Sequence, residues 1–469
     1  MEKKCVWEKY DAEALKVIDE FNDEYRNFLD EGKTERECVD YIVNAIEKEG
    51  YISIQEATKN KKTLKAGDRV YQVWMNKSIV MFQVGRDNLE KGINILGAHI
   101  DSPRIDIKQN PLYEDSGFAY LDTHYYGGVK KYQWVTIPLA MHGVIIKKDG
   151  TTVVVNIGEK EEDPVFFISD LLPHLAQEQM TKKASEVITG EALDLIVGNK
   201  PIVIKKDAEG EKKSKELVKQ GVLEILKEMY DVEEEDFISA EIEIVPAGKA
   251  REAGFDRSMI LGYGQDDRIC AFTSYKAMLD LDITDRTACC ILVDKEEIGS
   301  VGATGMHSRF FENSVAELMN LMGEYKELSI RRCLAASCML SSDVTSAYDP
   351  MYASAFEKKN VAFLGAGLVL CKFTGSRGKS GSNDANAEYI AHLRNVFEKE
   401  DISFQTAELG RVDLGGGGTI AYILAEYGMN VIDSGVAVLN MHAPYEATSK
   451  IDVYEAYRGY VAFCNNVSL

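Results

Sequence analysis

At 469 residues the chain exceeds what one hydrophobic core usually supports, so two domains, or one domain carrying a large insertion, are expected. A composition of 45% apolar and 28% charged residues is that of a soluble globular protein, not of a disordered or fibrous one. The formal charge of −22 argues against nucleic acid, whose phosphates demand a basic surface, and against anionic membranes as partners. The opening MEKKCVWEKYDAEAL has no apolar signal core, and no apolar run reaches the length of about 18 residues that spans a bilayer, so a cytoplasmic location is expected. The nine cysteines include no CxxC spacing, and runs such as TACCILVD and LAASCML read as small buried hydrophobes without a disulfide framework or zinc knuckle.

In chain order, the N-terminal region predicts two helices. The second, TERECVDYIVNAIEKE at 34–49, opens on a Thr34/Glu37 capping box, carries apolar residues at 38, 39, 42, 45 and 46, and stops at Gly50. A strand follows near VYQVWM, and then INILGAH, an apolar run ending in a polar cluster, as a buried strand does when it delivers ligands at its C-terminal end. From about residue 106 the character changes. VTIPLAMHGVIIKKDGTTVVVNIGE predicts a hairpin around a Lys-Asp-Gly turn. KKDAEGEKKSKE is a charged loop leading to a helix at about 214–230, and FISAEIEIVPA alternates apolar and acidic residues as a strand with one wet face does. Residues 106–255 therefore read as a β-rich insertion.

From about 258 onward helices and strands alternate: a helix at 268–281, the strand TACCILVD, a helix at 310–321, the strand CLAASCML, helices at 384–399 and 419–428, and the closing helix IDVYEAYRGYVAFCNN. Such alternation predicts an α/β/α sandwich built on a mixed sheet, with the segments 1–105 and 256–469 completing one domain.

Five polar clusters stand at predicted strand ends: GAHIDSP (97–103), GQDDR (264–268), DKEEIGS (294–300), SSDVTS (341–346) and NMHAPYE (440–446). They supply His99, Asp101, Asp266, Asp267, Glu296, Glu297, Asp343 and His442, two imidazoles among a surplus of carboxylates with no thiolate. Taken singly, an HxD pair or a Glu-Glu pair is as well explained by a hydrogen-bonded turn. Convergence changes this, because the C-terminal strand ends of an open α/β sheet meet at one crevice. Carboxylates gathered there repel one another unless cations sit between them. Mixed nitrogen and oxygen donors suit Zn²⁺, or Co²⁺ or Mn²⁺, and the number of donors is enough for two divalent ions sharing one carboxylate. Neighbouring Glu296 and Glu297 point in different directions, so one can bind metal while the other addresses the attacking water.

The ordered set GAHIDSP, DKEEIGS, SSD and NMHAPYE, spread over most of the chain, resembles the aspartyl aminopeptidase family of dinuclear-zinc peptidases. The resemblance implies one zinc on His99, Asp266 and Asp343 and a second on Asp266, Glu297 and His442, with Glu296 as general base and Asp101 supporting His99. It further implies an α/β catalytic domain interrupted at 106–255 by a smaller β-rich dimerisation domain that doubles as a lid, and a tetrahedral homododecamer built from dimers. A histidine of that inserted domain would reach the neighbouring subunit's active site, and LLPHLAQ nominates His174. The expected activity is hydrolysis of the N-terminal residue of peptides, an acidic one by the resemblance. Lys379, Arg411 and Gly417 are the residues nominated to meet substrate. Departures from the family's commonest pattern fall outside the metal set. Ser346 and Asp349 stand where two histidines are frequent, YQWVTIPL lacks the usual Trp-x-Asp-Arg-x-Leu, and DLGGGGTI replaces a Cys-Gly version. A neutral-residue aminopeptidase or an N-acyl amino acid deacylase of the same architecture is the nearest alternative, and a self-assembling shell of little turnover is the alternative from another class.

Overall fold

The computed structural model describes residues 5–202, 216–377 and 379–468. The chain forms two compact units: Met1–Ser102, Ala250–Met441 and Tyr445–Leu469 make one, and Pro103–Lys249 with His442–Pro444 make the other.

The first unit is built on a nine-stranded mixed sheet, in the order Ile52–Ser53, Arg69–Trp74, Ser78–Gln83, Thr287–Val293, Ile93–His99, Cys338–Ser341, Asn430–Gly435, Leu368–Cys371, Phe404–Thr406. Its four central strands, from Thr287–Val293 to Asn430–Gly435, are parallel, with Val293 opposite His99 and Ser341 opposite Gly97. Strands buried on both faces read as unbroken apolar runs, which is why TACCILV and INILGAH carry no alternation. Along each strand successive side chains enter different cores. Leu96 and Ala98 pack with the helices Ala12–Glu31, Glu35–Lys48, Gln265–Leu279 and Lys450–Asn466, whereas Ile93 and Ile95 pack with Phe310–Met322 and Glu327–Ala335. The result is the expected α/β/α sandwich on a mixed sheet. A five-stranded sheet, ordered Arg251–Ala253, Met259–Gly262, Glu446–Ser449, Ala437–Leu439, Thr345–Ser346, completes this unit.

Several elements match their sequence patterns closely. The second helix runs Glu35–Lys48 and has the Thr34/Glu37 capping box, while the closing helix spans Lys450–Asn466. Eight of the nine cysteines are buried and Cys5 is exposed. The run CLAASCML divides differently from the expectation. Residues Glu327–Ala335 are a helix that buries Ile330, Cys333 and Leu334 at helical spacing, and the strand begins only at Cys338. A short apolar run has no period that tells a buried helix from a buried strand. Likewise the helix expected at 419–428 is confined to Ala421–Ala425.

In the second unit six antiparallel strands follow the order Thr152–Ile157, Leu139–Ile146, Ala240–Pro246, Arg104–Asp115, Phe118–Tyr126, Leu195–Gly198. The Lys-Asp-Gly hairpin closes through Lys147 N–H to Thr151 O at 2.9 Å and Gly150 N–H to Lys147 O at 2.9 Å. The helix Leu217–Tyr230 accompanies the sheet. Nearly all of the charged loop expected before it lies outside the described residues.

Two fully buried carboxyls of the first unit give stability a pH signature. Burial raises both Asp433 and Asp452 to about 7, against relief from the Thr419, Ser341 and Thr374 hydroxyls at Asp433 and from the Gly367 and Gly365 amides at Asp452. A folded pKa above the unfolded value near ~3.9 means that the native state favours the proton. Their contribution is therefore full below pH ~4 and is lost as pH rises towards ~7. Asp433→Asn removes the charge that burial opposes. Measured by thermal melts, the variant's stability relative to wild type is expected to increase between pH ~4 and ~7, by at most about 4 kcal/mol. A relative stability that stays flat across that window would contradict the assignment.

Candidate metal centre

The parallel strands end together, and their last residues lead directly into the polar clusters. Ile93–His99 delivers His99 and Asp101, Thr287–Val293 leads into the short turn Glu296–Ile298, and Cys338–Ser341 leads to Asp343. Asp266 and Asp267 stand at the start of the helix Gln265–Leu279. The chain after Ser341 runs against the end of Asn430–Gly435, where a Cβ on Gly435 would lie 1.9 Å from Asp343 O, so only glycine allows Asp343 its position.

His99 is the hub. Its Nδ1 lies 2.9 Å from the backbone carbonyl of Asp101 and 3.3 Å from the Asp101 carboxylate, and its Nε2 lies 3.2 Å from Asp266 Oδ1 and 4.0 Å from Glu296 Oε2. A proton on Nδ1 donated to that carbonyl leaves Nε2 as a ligand atom. Asp101 therefore supports His99 through both its backbone carbonyl and its carboxylate. Its carboxylate has a second task, accepting the N–H groups of Glu296 (3.1 Å) and Glu297 (3.2 Å). That pair of bonds fixes the Glu-Glu turn, which starts at Lys295 with a left-handed φ of 69°.

Asp267, present in the sequence inventory without a role, also enters the site. Its Oδ2 accepts the His99 N–H at 3.4 Å, and its Oδ1 is a buried acceptor with no hydrogen-bond donor among the described residues. One ligand atom each from His99, Asp267 and Asp343 lies within 4.8 Å of the others, as do ligand atoms of His99, Glu296 and Glu297.

Electrostatics asks for a cation at this place. Burial, then the neighbouring Asp267 and Asp266 charges, pushes the Asp343 carboxyl well above the usual carboxylate range. Burial does the same to Asp267, with the Asp266 charge adding to it. For His99 burial disfavours the charge, but the side-chain hydrogen bonds to Asp101 and Asp266 outweigh it and raise the imidazole above its ordinary value. Hard carboxylate oxygens, an imidazole nitrogen and an orphaned Asp267 oxygen form a donor set that fits a first-row divalent ion.

His442 belongs by its contacts to the second unit, where its Nδ1 lies 3.1 Å from Gly128 O, a contact that orients the ring. His174, also of the second unit, is exposed on the turn closed by Ala176 N–H to Pro173 O. Lys379 is exposed, and Arg411 Nε donates to Phe356 O at 3.2 Å, a structural use of one guanidinium nitrogen. Gly417 O accepts Gly375 N–H at 2.8 Å, and a Cβ at Gly417 would meet open space, so close packing does not explain the glycine there. Sequence reasoning missed Ser102 and Glu446. Ser102 Oγ donates to Asp266 O at 2.7 Å, and Glu446 Oε2 accepts Asp266 N–H at 2.9 Å. Both lie inside the quoted clusters, where nothing distinguished them from loop residues.

Comparison with known proteins places these residues in context. Residues 28–464 match the family model described as aminopeptidase I zinc metalloprotease (M18). A probable M18 family aminopeptidase 1 of Clostridium acetobutylicum is 59% identical over 465 residues, covering 99% of this chain and 98% of the relative. The crystal structure of an M18 aminopeptidase from Thermotoga maritima superposes with a TM-score of 0.93 at 44% identity, covering all of both chains. The more distant S. cerevisiae mApe1 dodecamer shares the fold, with a TM-score of 0.75 at 21% identity over 96% of this chain and 97% of that one.

Proposed function

The chain belongs to the aminopeptidase I zinc metalloprotease family (M18), and from that premise we propose that each subunit holds two divalent cations, one on His99, Asp266 and Asp343 and the other on Asp266, Glu297 and His442. The protein is a zinc-dependent aminopeptidase. The observation that carries the two-cation reading is the gathering of His99, Asp266, Asp267, Asp343, Glu296 and Glu297 where the parallel strands end and the helix Gln265–Leu279 begins, with the Asp267 and Asp343 carboxyls pushed up by burial and by neighbouring negative charge. His442 joins this set on the resemblance and on its tether. It sits in the connection between Ala437–Leu439 and Glu446–Ser449, four residues before Glu446, whose carboxylate holds the Asp266 amide.

When bound, the cations polarise the scissile carbonyl and lower the pKa of the attacking water. The chain supplies the rest. Glu296 takes the water's proton and delivers it to the leaving amine. Asp101 holds Glu296 and Glu297 in register through their amides, so the base and the adjacent ligand keep fixed positions. His174 of a neighbouring subunit donates to the oxyanion as it forms. Carboxylates of the site hold the substrate's free α-amine, which restricts cleavage to the first residue. An acidic first residue finds its partners in the exposed Lys379 ammonium and in the terminal nitrogens of Arg411, beside the loop at Gly417.

A homododecamer built from dimers through the β-rich unit completes the proposal, in line with the assembly described for the distant yeast chain of this fold. Among the described residues no helix is long and apolar enough to cross a membrane. Nine free cysteines suit a reducing compartment, and we place the protein in the cytoplasm.

Metal analysis paired with a first-residue screen tests the reading. Two equivalents of Zn²⁺, or of Co²⁺ or Mn²⁺, per chain are expected, with turnover lost on chelation and regained on adding metal back. Aminoacyl amides with Asp or Glu first are expected to outpace those with Leu or Ala, and N-acyl amino acids are expected to resist. Faster release from N-acyl amino acids would move the assignment to a deacylase.

A further inference from the structure

The peptide group of Asp266 is held at both ends. Its carbonyl accepts Ser102 Oγ at 2.7 Å, and its N–H donates to Glu446 Oε2 at 2.9 Å. The preceding residue is pinned to the same place, because Gln265 Nε2 donates to the backbone carbonyl of Glu446 at 2.5 Å. Glu446 is only 1% exposed, and its strand pairs with Met259–Gly262, Gly262 facing Glu446. A carboxylate buried this deeply is costly unless charge-assisted hydrogen bonds hold it. Metal, base and substrate chemistry as read above do not call for it. What it does is join two parts of the chain: the Asp266 backbone, and the Ala437–Leu439/Glu446–Ser449 hairpin whose connection carries His442.

We infer that Glu446 is a positioning residue that ties the shared ligand Asp266 to the His442 hairpin and thereby sets the affinity of the second cation more than that of the first. The inference rests on the two-cation reading. The first cation keeps His99, held through Asp101, and Asp343, held against Gly435, neither of which depends on Glu446. The second draws Asp266 and His442 from the two segments that Glu446 connects. Hydrogen bonds that orient ligands from behind usually change metal affinity by about 10–100-fold when removed. Ser102 differs, because its hydroxyl donates to the Asp266 carbonyl and is not part of the hairpin that carries His442, so through that shared ligand it acts on both cations alike.

The test is Zn²⁺ uptake by the metal-stripped full-length protein, followed in competition with a chromophoric chelator, so that no activity enters the readout. Wild type is expected to bind two Zn²⁺ per chain. In Glu446→Leu one of the two Zn²⁺ affinities is expected to stay within about threefold of wild type and the other to fall at least about tenfold. Glu446→Gln keeps an acceptor for the Asp266 amide and is expected to retain both affinities within about threefold. Ser102→Ala, which leaves the strand intact should Glu446→Leu fail to fold, is expected to weaken both ions by a similar factor. Equal loss at both sites in Glu446→Leu, unchanged binding in that variant, or a Ser102→Ala protein that weakens one ion alone would overturn the inference. A wild-type chain that takes up a single Zn²⁺ would overturn the two-cation reading itself, an outcome visible before any variant is made.

Discussion

Replacing Glu296 by glutamine is expected to leave bound metal near the wild-type level and to lower turnover by about 10²-fold or more. Glutamine has the shape of glutamate and still fills the space 4.0 Å from His99 Nε2, but it cannot take a proton from water at neutral pH. The backbone of residues 296 and 297 is held by the Asp101 carboxylate, so the turn that presents Glu297 to metal is expected to survive the change. Metal content and turnover therefore separate, and this distinguishes a base from a ligand. Measured by elemental analysis beside steady-state kinetics, an unchanged kcat would remove Glu296 from its role. Loss of metal together with loss of turnover would instead make it a ligand.

Much of the sheet was legible because each central strand is buried on both faces. Such strands appear as apolar runs that stop at a polar cluster, as INILGAH stops before Ile100 and Asp101 and TACCILV stops before Asp294. The capping box at Thr34 and the turn at Lys147–Gly150 were equally plain, since each has a local chemical cause. The run CLAASCML had no such cause. Whether Cys333 and Leu334 belong to a helix or a strand is decided by the core formed with Phe310–Met322, which lies outside the segment itself. The glycine run gives a similar lesson. Gly417 stands in open space and spends its carbonyl on Gly375, a pairing between loops distant in sequence that composition does not reveal.

The site divides along the same line. Side chains that bring donor atoms to one place were readable, because the donor types and their position at strand ends are properties of the sequence. What holds those side chains was not. Asp101 meets His99 with its backbone carbonyl and its carboxylate, and the same carboxylate holds two amides, a sharing that the HxD spelling leaves open. Ser102 and Glu446 act on the Asp266 peptide group, and a contact to a main-chain atom leaves no mark in the residue types. Asp267, neighbour to Asp266, could have been read as a solvated turn. Its depth in the fold and its approach to the His99 amide are tertiary facts.

A His174→Phe protein is expected to assemble as wild type does and to lose nearly all turnover, on the order of 10²-fold, if the histidine supplies one donor to the developing oxyanion. Its place on an exposed turn makes a folding defect an unattractive explanation for such a loss, and an unchanged melting temperature would exclude it. The decisive experiment mixes His174→Phe with Glu296→Gln under conditions where subunit exchange is verified. Neither parent has a complete site, because one lacks the oxyanion donor and the other the base. If the histidine acts across a two-fold interface, each mixed pair contains one site with a wild-type Glu296 from its own chain and a wild-type His174 from its neighbour. Random exchange makes half of the pairs mixed, with one intact site in two, so activity should recover to about a quarter of wild type. A histidine acting within its own chain gives no recovery at any mixing ratio, since no chain in the mixture carries both groups.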